Sequence, residues 1–71
     1  MKTENSDKEI LYEISQKLRH SGYDAVGQII GFLVTEDPTY ITNKEGARKL
    51  ALGLDRDTLL KEIVECYCNQ L

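Results

Sequence analysis

The stretch "GYDAVGQIIGFLVTEDPTYI", Gly22–Ile41, decides how the rest of the chain is read: an apolar run of helical length carries two glycines four residues apart and then stops at Asp37-Pro38. Asp24 is a capping residue for a helix through Val26, Ile29, Ile30, Phe32, Leu33 and Val34. That apolar set is too wide for one stripe, so the helix is expected to be central and buried. Pro38 lacks a backbone donor and turns Asp37 away from helical angles, which ends the helix near Thr35 or Glu36. Gly27 and Gly31 fall one turn apart on one face. Each glycine lowers helix propensity by roughly 1 kcal/mol against alanine, so a close neighbour has to offset that loss. Two neighbours stay open: a backbone or aromatic ring of the same chain, or the same helix of a second copy in a dimer seam. The connector "EDPTYIT" reads as a turn opened by proline, with Tyr40 and Ile41 folding back onto the core.

Working outward from this helix, Met1 to Asn5 are polar and without period, a loose end. Ser6 with Glu9 has the S-x-x-E order of a capping box, and Ile10, Leu11, Ile14 and Leu18 recur at helical spacing. A first helix is therefore expected over Asp7 to His20, with Lys8, Glu13, Lys17 and Arg19 outward and Gly22 supplying a left-handed stop. Downstream, Asn43, or Thr42 with Glu45 as a second capping box, opens a short third helix through Ala47, Leu50 and Leu52, closed by Gly53 at the C′ position. Leu54 and Leu59 flank Asp55 as a hydrophobic staple. The last helix then runs to about Asn69, with a buried stripe of Leu59, Leu60, Ile63, Val64 and Tyr67 and with Leu71 beyond. No segment alternates as a strand would. The fold class is all-α: residues 1–71 form one domain, a compact bundle of about four helices joined by short loops.

Seventy-one residues hide only about 60–65% of the surface the unfolded chain exposes, so a core of this size calls for a staple or a partner. Cys66 and Cys68 lie two apart on the last helix, and their side chains diverge by about 200°, which excludes a bond between them. With His20 the sole histidine, a lone C-x-C is a weak metal signal. The plainer reading is two free, mostly buried thiols in a reducing cytoplasm. No cofactor is implied, and a homodimer is the remaining source of extra stability. A net charge of −3 and a pI near 5.0 oppose general attraction to nucleic acid or anionic membrane. No run of 18 apolar residues and no signal-peptide core occurs in the sequence, so the expectation is a cytoplasmic protein with no membrane insertion.

The candidate sites are few. His20 sits at a helix end, where favourable interaction with the helix C-terminus explains it better than acid–base work. Asp55 and Asp57 in "DRDT" complement the dipole of their own helix. Lys44, Arg48 and Lys49 place three of the nine basic residues within six positions, which raises the alternative of a helix-turn-helix-like regulator binding nucleic acid. Against it, Asp55, Asp57, Glu62 and Glu65 on the last helix oppose phosphates. Thr3 and Ser6, beside acidic residues ahead of a helix N-terminus, are the candidate phosphorylation sites, since a phosphate there interacts favourably with the helix dipole.

Together, "GYDAVGQIIGFLVTEDPTYIT", "ARKL" and "DRDTLLKEIVECY" resemble the IreB family of small regulatory phosphoproteins. Gly22, Tyr23, Gln28, Ile29, Gly31, Asp37, Pro38, Tyr40, Ile41, Ala47, Arg48, Arg56, Asp57, Val64 and Tyr67 stand at matching places, over about Ile10 to Tyr67. The resemblance implies an all-helical, non-enzymatic homodimer. It also implies a negative regulator in a cell-wall stress pathway, under a transmembrane Ser/Thr kinase that phosphorylates threonines near the N-terminus. Gly27 is not part of the pattern. Ala25 replaces the proline that follows Gly-Tyr in the family. The family's pair of threonines ahead of a phenylalanine has no counterpart here, so Thr3 matches neither acceptor. The residues expected to meet a protein partner, the kinase or an enzyme of envelope synthesis, are Tyr40, Arg48 and Arg56.

Overall fold

A computed structural model describes residues 6–70. The polar N-terminal segment, with Thr3, and Leu71 lie outside the described residues. Four helices follow in order: α1 Asp7–His20, α2 Ala25–Thr35, α3 Ala47–Ala51 and α4 Arg56–Cys68. Among the described residues there is no strand.

Local chemistry sets the helix ends. Ser6 and Glu9 close a reciprocal capping box at α1, each side chain accepting from the other's backbone N–H at 3.3 Å. After α1, Gly22 takes φ +85, and the Tyr23 N–H returns to the Leu18 carbonyl at 2.9 Å. Asp24 caps α2 by accepting from the Gly27 N–H at 3.0 Å, and Asp55 caps α4 by accepting from Thr58. The expected capping box of Thr42 and Glu45 does not form. Instead a tight turn, Lys44–Gly46, leads into α3 without a side-chain cap, with Glu45 and Gly46 both in left-handed conformation at φ 53 and +81. Gly46 thus takes the left-handed backbone in this region, and Gly53 does not.

The core joins Ile14 and Leu18 of α1, Ala25, Phe32 and Leu33 of α2, Ile41 of the connector, Ala47 and Ala51 of α3, and Leu59 of α4. Ala47 and Ala51 are one turn apart, so α3 presents a face of methyl groups, and α1 packs closely on it. Leu54 and Leu59 both join this core, as a staple at the start of α4 requires.

Four burial expectations are corrected. α2 is buried on one side only: Val26, Ile30 and Val34 are 56%, 53% and 75% exposed. α4 is anchored through Leu59 and Leu60, but every residue from Lys61 to Gln70 is exposed, including Ile63, Val64 and Tyr67. Cys66 and Cys68 are accordingly exposed rather than buried. The reason is shared: α1 and the Pro38–Tyr40 turn pack against α2, and no further element of the described chain covers its outer side or the distal half of α4. Leu52, expected to point inward from α3, is the residue that ends it and is 65% exposed.

Candidate docking groove and connector clamp

Most of the exposed apolar residues of α1, α2 and α4 gather in two hollows, Val34 and Val64 standing apart. Leu11 and Tyr12 of α1, Val26, Ile29, Ile30 and Leu33 of α2, and Ile63 of α4 line an open hollow of about 450 Å³. A second hollow of about 630 Å³ adjoins it, with Leu11, Leu59, Ile63, Cys66 and Tyr67 in its wall. Lys8, Leu11 and Ile63 are common to both, so the two form one groove along α1 between α2 and α4. Charge enters only at the rim, through Lys8 and Glu62. The groove leaves apolar side chains of three helices without cover from the described chain. The distal half of α4 carries the same message. A helix of 13 residues is marginal in water on its own, and from Lys61 onward this one has no buried side chain to hold it.

Beside the groove, the connector is held by a set of polar contacts. Asp37 caps the single turn Pro38–Tyr40, accepting from the Thr39 N–H at 3.0 Å and from the Thr39 hydroxyl at 2.7 Å. The hydroxyl bond, followed by the backbone bond, lowers the Asp37 pKa below its ordinary 3.8; the charge of Arg48 adds a smaller push, and partial desolvation opposes them. Gln28 Oε1 accepts from the Thr42 N–H at 2.9 Å, and Arg48 Nε donates to the Ile41 carbonyl at 2.9 Å. These two bonds seat Ile41 in the core. Arg56 Nη1 donates to the Leu33 carbonyl at 2.7 Å, while Nη2 pairs with Glu36, which ends α2 in left-handed conformation at φ 63. Arg56 thereby satisfies a carbonyl left open at the helix end and joins α2 to the base of α4. A bond from the Asp55 N–H to Asp7 Oδ1 at 3.3 Å ties the starts of α1 and α4 together.

The structure separates the predicted site residues. A Cβ on Gly31 would lie 2.6 Å from Cδ1 of Tyr40, so the absent side chain makes room for that ring. At Gly27 a Cβ would meet the capping carboxylate of Asp24 at 2.3 Å, not another helix. Tyr40 is half exposed, whereas Arg48 and Arg56 donate inward to carbonyls and brace the connector. Ser6 is a cap; Thr3 lies outside the described residues. Of the basic trio proposed for nucleic acid, Arg48 is committed to Ile41, and α3 is only five residues long. Among the described residues, no three His, Cys, Asp or Glu side chains gather as metal ligands.

The groove itself is what sequence reasoning missed. Its signal was the width of the apolar set on α2, read as burial all round when it reflects two faces, one turned to the core and one to the groove. Gln28, Glu36 and Asp7 were likewise given no contact, because their partners lie 14, 20 and 48 positions away.

These features define a small all-α protein with an open apolar groove and a braced connector. The family model described as IreB regulatory phosphoprotein matches residues 1–69, and the chain belongs to this family. A protein of Ruminiclostridium cellulolyticum, described only as a UPF0297 protein, is 44% identical over 64 residues, which cover 90% of this chain and 73% of that protein. Among the described residues, no helix is long and apolar enough to cross a membrane.

Proposed function

We propose that this protein is a non-enzymatic regulator that works in the cytoplasm as a homodimer, by protein–protein binding in a Ser/Thr-kinase-linked cell-wall stress pathway. The single observation that carries the binding role is the groove along α1, where Tyr12, Val26, Ile30 and Ile63 stand exposed together. Membership of a family described as regulatory phosphoproteins supports the regulatory part. The second copy seats on the groove rather than on the Gly27–Gly31 face, since Asp24 and Tyr40 already fill the space over those glycines. The partner, the kinase itself or an enzyme of envelope synthesis, meets the connector face, where Tyr40 is the outward group and Arg48 and Arg56 hold it in place. Thr3 and Ser6 are the phosphate acceptors, and a phosphate on Ser6 would exchange the α1 cap for a charge at the same helix end.

Light scattering across micromolar concentrations tests the dimer. The wild type is expected at twice the chain mass, and Ile30→Asp, half exposed in the single chain, is expected to remain helical but to run as a monomer. With Cys68→Ser in place, labelling of Cys66 should slow as the dimer forms, because Cys66 lies in the groove wall. A wild type that stays monomeric at high micromolar concentration overturns the dimer; an unchanged labelling rate in a proven dimer moves the interface elsewhere. Kinase control is tested separately, by incubation with a wall-sensing Ser/Thr kinase and mapping of the phosphate. Absence of label on both Thr3 and Ser6 ends that part of the reading.

A further inference from the structure

We draw no further inference here: the strongest candidate, the apolar groove between α1, α2 and α4 with the Cys66 thiol in its wall, belongs to the self-association surface already described, and nothing in the structure shows any other occupant.

Discussion

Replacing Gly31 with alanine sets two effects of opposite sign against each other. The backbone there is ordinary right-handed helix, so alanine improves helix propensity by about 1 kcal/mol. The new methyl, however, would stand 2.6 Å, 3.0 Å and 3.2 Å from Cδ1, Cγ and Cε1 of Tyr40, too close for the ring to stay. Tyr40 is 50% exposed, so its way out is to swing into solvent. A tyrosine has on the order of 200 Å² to bury, of which about half is buried here, and about 100 Å² at roughly 25 cal/mol per Å² amounts to about 2.5 kcal/mol. The net expectation for Gly31→Ala is a loss of about 1.5 kcal/mol. In a domain of this size that lowers Tm by roughly 6–12 °C. In a Tyr40→Ala background the clash is gone, and the same Gly31→Ala change should stabilise by about 1 kcal/mol. Thermal and urea unfolding by circular dichroism, with all four proteins at one concentration so that any self-association contributes equally, completes the double-mutant cycle. Equal effects of Gly31→Ala in both backgrounds, or a gain in the wild-type background, would refute the claim that this glycine exists to admit the Tyr40 ring.

Two further outcomes follow from the connector clamp. Arg56→Ala leaves the Leu33 carbonyl and the left-handed Glu36 without their partner and should destabilise by about 1–2 kcal/mol in urea unfolding, most of it from the charged bond to the carbonyl, since the Glu36 side chain is 65% exposed and its ion pair is screened. Arg56→Lys should recover only part of this, because an ammonium cannot reach both acceptors with a planar fork; full recovery would show that charge alone matters. At Asp37 the folded pKa lies below the unfolded value of 3.8, so near that pH the unfolded state binds more protons and stability rises with pH. The contribution is therefore present above pH 3.8 and is lost as pH falls through the lower folded value. Asp37→Asn should flatten this acid limb in urea unfolding followed from neutral to strongly acid pH, whereas an unaltered limb would place the acid sensitivity on other carboxylates.

What the amino-acid order determined by itself was most of what depends on neighbours within one turn, the Thr42–Glu45 box and the Gly53 stop being the exceptions. The Ser6–Glu9 box, the Asp24 and Asp55 caps, the Gly22 stop and the end of α2 ahead of Pro38 each rest on groups three or four residues apart, and each was legible before any coordinates. The inward face of α1 was legible for the same reason, because helical periodicity is also local. Tertiary structure alone decided which side of a doubly apolar helix meets the core. Ile29 and Ile30 are adjacent and equally apolar, yet Ile29 packs against the core and Ile30 stands half exposed, because α1 and the Pro38–Tyr40 turn leave part of the α2 surface uncovered. The outward fate of Ile63, Val64, Tyr67 and both cysteines has the same origin. Apolar character records that a residue avoids water; it does not record whether its own chain or another protein will provide the cover, since the hydrophobic effect is non-directional and only the path of the backbone supplies the direction.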